Sequence, residues 1–201
     1  SLRGQQPLVR CLIHDIQHTH DPLALYSNYR QGTVSRILTQ RDGAVMALLQ
    51  QNGYQVVGVD PSVEGVSQAH AAYPELSVHA GSAYDDLAAR YGSFPVVVSL
   101  DVVEHCFLPR NYARTLFSLV QEGGIAVLST PYHGYWKNLA LALTGAMDRH
   151  FTALWDYGHI KFWSIRTLRT LLQDAGFKSI RFLRVGRIPP LAKTMIAIAR
   201  K

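Results

Sequence analysis

Short runs of apolar and β-branched residues alternate along this chain with longer segments whose apolar positions recur at helical spacing. The short runs predict buried strands at 54–59, 76–79, 95–100 and 125–130. Between them, helices are predicted at 44–51, from 60–62 to about 72, at 84–90 and at 109–120. The pattern breaks at 131–160 and returns as a helix at 164–175 and strands at 178–185 and 194–199.

This order of elements predicts an α/β fold with a doubly wound, mostly parallel sheet. The last two strands have no helix between them, so we expect an antiparallel pair at one edge of the sheet. Ligands of such sheets bind outside the carboxyl ends of the central strands. Four residues that follow predicted strands are therefore expected along one rim, namely Asp60, Ser82, Asp101 and Pro131.

Length and composition favour a single domain with a sizeable core, because 48% of the 201 residues are apolar. Cys11 and Cys106 lie far apart and no signal-peptide pattern is visible, which favours reduced thiols and a cytoplasmic protein. No apolar run approaches the roughly 20 residues that a membrane-spanning helix needs.

Positive charge is concentrated at the end of the chain. Residues 151–201 contain ten Lys and Arg against Asp156 and Asp174, within a total net charge of +6. Such a basic segment can face anionic lipid, nucleic acid or an acidic substrate, or it can be an ordinary solvated surface. No nucleic-acid motif accompanies it, so we expect no nucleic-acid partner.

Asp60 closes the second predicted strand. A carboxylate there can accept hydrogen bonds from both hydroxyls of a nucleoside ribose. It can equally cap the helix that begins at Pro61, and both roles can hold at once.

Three potential ligands follow the strand at 95–100 with the spacing i, i+3 and i+4. If the segment is helical, Asp101, Glu104 and His105 share one face and could hold Mg²⁺ or another hard cation. His105 could instead act as a general base, or Glu104 and His105 could form a purely structural pair.

The irregular segment 131–160 is rich in histidine and aromatic residues. His133, His150 and His159 lie among six Tyr, Trp and Phe residues, which would suit a water-poor pocket in which an imidazole accepts a proton. A packed lid whose histidines are satisfied internally is an equal alternative. Within it, the apolar stretch 137–147 could lie in a membrane interface, although an ordinary core helix is the favoured interpretation.

Several motifs in fixed order resemble class I S-adenosylmethionine-dependent methyltransferases, most of all the ubiquinone-biosynthesis O-methyltransferase group. They are Val57-Gly-Val-Asp-Pro-Ser62, Ser99-Leu-Asp-Val-Val-Glu-His105, Gln121-Glu-Gly-Gly124, Ser129-Thr-Pro131 and Leu171-Leu-Gln-Asp-Ala-Gly-Phe177. The resemblance implies a Rossmann-like, seven-stranded sheet whose last strand is antiparallel.

By position, the resemblance also implies roles for single residues. Asp60 would bind the ribose of S-adenosyl-L-methionine, Ser82 and Ala83 would flank its adenine, and Leu100 would line the same pocket. In the ubiquinone group the motif at Asp101, Glu104 and His105 is linked to a divalent cation such as Mg²⁺. That group also has an insertion, associated with membrane contact, at the place of residues 131–160.

The glycine-rich cofactor loop of this superfamily is altered here. The corresponding segment is Arg36-Ile-Leu-Thr-Gln-Arg-Asp-Gly43, in which only Gly43 remains and the loop is about two residues short. The first forty residues also show no strand or amphipathic helix. We therefore divide the chain into an atypical N-terminal segment, 1–42, and a methyltransferase domain, 43–201, and hypothesise that a frameshift or fusion produced the join. The alternative is a naturally degenerate loop in a protein that no longer methylates.

From these patterns we expect a methyltransferase that transfers a methyl group to the oxygen of a small organic acceptor. Glu104 and His105, with His133 and His159 in the acceptor pocket, are the predicted catalytic residues. The alternative is a methyltransferase-like fold without activity that serves as a binding or partner module. Peripheral membrane contact through 137–147 and the basic end of the chain is a further possibility.

Overall fold

The computed structural model describes residues 34–39, 43–151, 153–156 and 158–201. Its strands are β1 Val34–Thr39, β2 Gln55–Asp60, β3 Ser77–Ala80, β4 Phe94–Leu100, β5 Val120–Pro131, β6 Ser179–Val185 and β7 Thr194–Arg200. Its helices are α1 Ala44–Gln51, α2 Val63–Ala72, α3 Leu87–Tyr91, α4 Pro109–Leu119, α5 Tyr135–Leu143, α6 Met147–Phe151 and α7 Ile165–Asp174. Two 3-10 turns lie at Val103–His105 and Pro189–Leu191.

The seven strands form one sheet in the order β3-β2-β1-β4-β5-β7-β6. Strands β1 to β5 are parallel, whereas β7 is antiparallel to both β5 and β6. The predicted α/β architecture and the antiparallel pair at the sheet edge are confirmed. As a result, the carboxyl ends of β2, β3, β4 and β5 lie along one rim, as expected.

The expectation that no strand precedes Gly43 is wrong, because β1 lies at the centre of the sheet. It pairs with β2 on one side, where Leu38 faces Val59, and with β4 on the other, where Thr39 faces Leu100. The sheet therefore begins before the expected domain boundary at residue 43. Residues 1–33, on which the idea of a joined segment mainly depends, lie outside the described part of the chain.

Short polar side chains fix where the helices begin. Ser62, not Asp60, caps α2 by accepting a hydrogen bond from the backbone N–H of Gly65. Asp86 caps α3 in the same way, so this helix begins at 87 rather than at 84. Ser164 and Thr167 form a reciprocal capping box that starts α7.

Helices cover both faces of the sheet and bury two apolar clusters. On one face α4 and α7 pack their leucines against the sheet, and Tyr112 of α4 donates a buried hydrogen bond of 2.7 Å to Ser99 of β4. On the other face α1 packs Met46 and Leu49 against β2 and β4. Packing on both faces holds the sheet in place, and with it the rim formed by the carboxyl ends of the parallel strands.

Between β5 and α7 the chain leaves the sheet and forms α5 and α6. The prediction of a core helix at 137–147 is wrong, because Lys137 is the only buried residue of α5 and Leu143 is 79% exposed. The apolar residues of α5 instead face a cavity or the surface. Within the described residues, no helix is long and apolar enough to cross a membrane.

Candidate active site

Asp60 is a buried carboxylate at the end of β2, with only 7% of its surface exposed. Its Oδ1 accepts a hydrogen bond of 2.8 Å from the backbone N–H of Ser62. Its Oδ2 has no hydrogen bond to any described residue. Burial raises the pKa of this carboxyl, and the Ser62 N–H opposes that shift. A carboxylate oxygen without a donor can accept a hydrogen bond from the hydroxyl of a nucleoside ribose.

The loop after β3 lies beside Asp60, since the Gly81 N–H donates to the Asp60 carbonyl at 3.1 Å. Ser82 is held within this loop, because its N–H donates to Asp85 Oδ2 and its Oγ accepts from the Tyr84 N–H. Ala83 is half-buried against the core. These contacts give the predicted adenine-flanking segment a defined shape.

Leu100 and Gly43 are the other predicted cofactor residues. Leu100 ends β4 and is half-buried. Gly43 stands at the start of α1 with a φ of 72°, a conformation that favours glycine. A Cβ at Gly43 would lie 3.0 Å from Leu76 Cδ1, so the close packing also requires glycine. Residues 40–42, which complete the altered loop, lie outside the described residues.

The assumption that Asp101 continues into a helix is wrong. Asp101 has a φ of 50°, which is uncommon for a residue with a side chain, and only residues 103–105 form a 3-10 turn. Three contacts to Ser129 of β5 hold this conformation. The Asp101 N–H donates to the Ser129 carbonyl and to Ser129 Oγ, both at 3.1 Å, and Ser129 Oγ donates to Asp101 Oδ1 at 2.8 Å. Asp101, Glu104 and His105 therefore do not share one helical face.

Glu104 is almost completely buried at the end of β5. Its Oε2 accepts a hydrogen bond of 2.9 Å from Thr130 Oγ1, whereas Oε1 is buried without a hydrogen-bond partner among the described residues. Burial, with a smaller contribution from Asp101, raises the pKa of Glu104 to about 8. The carboxyl is therefore largely protonated at neutral pH.

His159 reaches Glu104 from the far end of the segment 131–160. Its Nε2 lies 4.0 Å from Glu104 Oε1, and its ring centroid lies 4.9 Å from that of His105. Burial, followed by the charge of His105, lowers the pKa of His159. At neutral pH the two partners are therefore uncharged, and their contact is not an ion pair.

Backbone contacts pin this part of the segment in place. The N–H groups of Ile160 and Lys161 both donate to the Glu104 carbonyl at 2.9 Å, and Trp163 Nε1 donates to the Val103 carbonyl at 3.3 Å. Ligand atoms of Glu104, His105 and His159 all lie within 4.8 Å of one another. In this cluster His159 takes the place predicted for Asp101.

A cavity of about 560 Å³ opens beside the cluster, between the segment 131–160 and the β6–β7 connection. His159 belongs to both the cluster and the cavity wall. The other lining residues are Pro131, His133, Lys137, Ala140, Leu141, Thr144, His150, Trp155, Arg187, Leu191 and Lys193. Its volume suits a small organic molecule.

His133 lies on another part of this wall, within an aromatic group. Its ring centroid lies 5.0 Å from those of His150 and Phe162, and 5.7 Å from that of Phe151. Burial, followed by the charges of Lys137 and His150, lowers the pKa of His133 to about 4. The structure therefore separates the histidines: His159 joins Glu104 and His105, whereas His133 joins His150.

Sequence reasoning missed the contribution of Arg187 and Lys193 to the cavity. Both lie in the connection between β6 and β7 and reach the cavity only because β7 pairs with β5, where Thr194 faces Pro131. The strong positive charge of the last quarter of the chain is the one signal in the sequence that points to them. Lys137 begins the apolar stretch 137–147, and that local pattern does not indicate that its side chain lines a cavity.

Comparison with known proteins agrees with this geometry. The family described as "Methyltransferase domain" matches residues 41–181. A ubiquinone biosynthesis O-methyltransferase of Caulobacter sp. (strain K31) is 36% identical over 98 residues, which cover 47% of this chain and 38% of that protein. A protein of the same name from Ruegeria pomeroyi is 30% identical over 133 residues, 64% of this chain and 53% of that protein. The chain thus spans about two fifths to one half of these curated relatives.

Solved structures with the same fold include an S-adenosylmethionine-dependent methyltransferase from Archaeoglobus fulgidus. It has a TM-score of 0.66 at 14% identity and covers 89% of this chain and 91% of that one. A second, from Mesorhizobium loti, has a TM-score of 0.64 at 15% identity and covers 89% and 96%. Because the family model matches residues 41–181, the chain belongs to the methyltransferase domain family.

Proposed function

We propose that this chain transfers a methyl group from S-adenosylmethionine to an oxygen atom of a small organic acceptor. One observation carries the proposal: the cluster of Glu104, His105 and His159 stands at the carboxyl ends of the parallel strands and opens, through His159, into a cavity of about 560 Å³. The O-methyltransferase names of the curated relatives support oxygen as the accepting atom.

The cofactor would bind along the neighbouring part of the same rim. Asp60 would accept hydrogen bonds from the ribose, Ser82 and Ala83 would flank the adenine, and Leu100 would pack against it. When bound, S-adenosylmethionine supplies a methyl group on a sulfonium, which is already a good leaving group. The protein therefore contributes mainly alignment of the acceptor and removal of its proton.

His159 is the best-placed group to accept that proton. Its imidazole is uncharged at neutral pH and belongs to the cavity wall, so Nε2 can accept the proton of an acceptor hydroxyl. With its proton removed, the acceptor oxygen would be the nucleophile for the methyl group that bound S-adenosylmethionine would supply. The positive charge of the imidazolium favours ionisation of Glu104, 4.0 Å away, and the resulting carboxylate stabilises it.

A divalent cation is a subordinate hypothesis for the same cluster. Two imidazoles and one carboxylate with an unpartnered oxygen could bind a metal ion, although none of the comparisons supports one. This donor set suits Zn²⁺ or Mn²⁺ better than Mg²⁺, which prefers oxygen ligands. Treatment with EDTA, followed by separate additions of Mg²⁺, Mn²⁺ and Zn²⁺, tests it: activity unchanged by the chelator would exclude a required cation.

Peripheral membrane contact has its own structural support. Tyr135, Trp136, Leu143 and Leu154, all in the segment 131–160, have exposed fractions of 72%, 63%, 79% and 99%. Amphipathic aromatic side chains of this kind bind at membrane interfaces. Sedimentation with anionic liposomes tests this surface, and a Trp136→Ser variant that sediments as well as the unchanged protein would argue against it.

Cofactor binding and methyl transfer need separate measurements. Calorimetry with S-adenosylhomocysteine tests the first, and transfer of a labelled methyl group to a panel of phenols and catechols tests the second. We expect binding in the micromolar range and labelling of at least one hydroxylated acceptor. Absence of binding at millimolar ligand would contradict the proposal and favour the alternative, an inactive methyltransferase fold that serves as a binding module.

A further inference from the structure

The cavity beside the active site carries positive charge without compensation. Lys137, Arg187 and Lys193 belong to its wall, and no Asp or Glu of the described part of the chain does. Among the described residues, none of these three cations forms an ion pair, whereas Arg110 and Lys201 lie within 4.0 Å of Asp174 and Glu122. The positive charge is therefore concentrated where a ligand would bind.

Lys137 is the most informative of the three, because it is 92% buried (8% exposed). Its Nζ donates to the Tyr132 carbonyl at 2.7 Å and, at 3.5 Å, to the Lys193 carbonyl. Both partners are neutral, so the charge of the ammonium is not balanced. A buried charge without a counter-ion is unfavourable, and accordingly burial and the neighbouring Arg187 lower the pKa of Lys137.

Unused polar atoms lie in the same wall. His133 is 94% buried (6% exposed), and neither its Nδ1 nor His150 Nε2 has a hydrogen-bond partner among the described residues. The remaining wall includes Ala140, Leu141 and Leu191, which are apolar. The cavity thus combines a cationic, polar part with an apolar part, as a site for an organic anion would.

We propose that this cavity binds a methyl acceptor that bears an anionic group, a carboxylate or a phosphate. The anionic group contacts Lys137, with Arg187 and Lys193 at the exposed mouth of the cavity, while the hydroxyl to be methylated faces His159. The identification of the ligand as a methyl acceptor depends on the function proposed above. The preference of the cavity for anions does not, because it depends only on the charges of its wall.

A structural role for Lys137 is the competing explanation. Its two hydrogen bonds tie α5 to the ends of β5 and β7, so its loss could act through folding alone. Arg187 and Lys193 separate the two explanations, because both are exposed and neither is needed to fill the core. Substituting them removes charge from the cavity without opening a buried space.

Binding of simple probes tests the anion preference without any methyl transfer. We would titrate the full chain by calorimetry with benzoate, phenyl phosphate and uncharged benzamide. At least one of the two anions should bind ten or more times more tightly than benzamide, and which of them does so distinguishes a carboxylate from a phosphate site. Equal binding of all three probes, or of benzamide alone, would overturn the proposal.

Variants of the three cations show which residues produce the anion preference of the cavity. Lys137→Met and the double variant Arg187→Gln/Lys193→Gln should each weaken binding of the preferred anion at least ten-fold. Lys178 is an exposed charge outside the cavity wall, so Lys178→Gln should leave the affinity for that anion unchanged. If Lys137→Met does not fold, the double variant decides alone. Unchanged anion affinity in the folded variants would reject the site.

Methyl-transfer assays then separate this inference from the proposed function. Given a catechol carboxylate and the corresponding carboxamide, the unchanged protein should prefer the carboxylate in kcat/KM by ten-fold or more, and the double variant should lose that preference through KM. Methyl transfer without charge preference would reject the anion site and leave the function standing. Anion binding without methyl transfer to any acceptor would reject the proposed function and leave the anion site standing.

Discussion

Glu104 and His159 face each other across the edge of the sheet, with Glu104 Oε1 4.0 Å from His159 Nε2. Glu104 is held by Thr130 at the end of β5, and its carbonyl in turn receives the N–H groups of Ile160 and Lys161. Contacts at the same residue therefore hold both the Glu104 carboxyl and the segment that bears the His159 imidazole. This pairing places the imidazole of His159 in the wall of a cavity whose other residues come from distant parts of the chain.

Replacing His159 with Gln should abolish most methyl transfer and spare cofactor binding. We expect kcat to fall by about 10²- to 10⁴-fold, because a positioned general base contributes about that much. The affinity for S-adenosylhomocysteine should not change. Single-turnover assays and calorimetry measure the two effects, with His70→Gln, an exposed residue of α2, as the control.

If Glu104 acts through His159, the double variant Glu104→Gln/His159→Gln should be no slower than His159→Gln alone. Additive losses would show that the two residues act independently.

Asp60→Asn should weaken the binding of S-adenosylhomocysteine by about 10- to 100-fold, since hydrogen bonds to a charged group contribute about 1.5–3 kcal/mol. Asparagine retains an oxygen for the Ser62 N–H, so the turn should survive. Glu64→Gln removes a similar charge from the exposed side of α2 and should bind normally. Equal affinity of the Asp60 variant, measured by calorimetry, would remove Asp60 from the cofactor site.

Burial of His133 should make the protein sensitive to mild acid. Its folded pKa of about 4 lies below the ordinary value of 6.5, so between these pH values the unfolded chain binds a proton that the folded chain does not. Stability therefore falls as the pH falls, by about 2 kcal/mol between pH 7 and pH 5 from this residue.

Denaturant unfolding at these two pH values measures the effect. His133→Gln should lose less stability on acidification than the unchanged protein, whereas His70→Gln should lose as much. An identical loss in the His133 variant would show that its imidazole is not the group responsible.

Gly43→Ala should destabilise the fold by at least about 1 kcal/mol more than Gly53→Ala. Both glycines have a positive φ, 72° and 85°, so both substitutions carry a similar backbone strain. Only at Gly43 would the new Cβ meet neighbours, at 3.0 Å from Leu76 and 3.2 Å from Ala69, whereas nothing lies within 4 Å at Gly53. Equal unfolding free energies of the two variants would disprove the crowding at the start of α1.

The sequence alone determined the class of fold and the rim that holds the site. Alternating buried strands and amphipathic helices leave a periodic pattern in the sequence. Asp60 is the last residue of one such strand, and Glu104 lies four residues after the end of another. The sequence pattern did not predict strand β1, because half of the residues in Val34–Thr39 are polar or charged. The position of β1 in the sheet depends instead on backbone pairing with β2 on one side and β4 on the other.

Only the tertiary structure decided which side chains work together. His159 replaced Asp101 beside Glu104 because Asp101 turns back to Ser129 and the segment 131–160 returns to the sheet at Glu104. Lys137 and Lys193 share a cavity because β5 and β7 are antiparallel neighbours. Contacts between residues so far apart in the chain leave no local pattern, since they arise from strand order and packing rather than from the preferences of each segment.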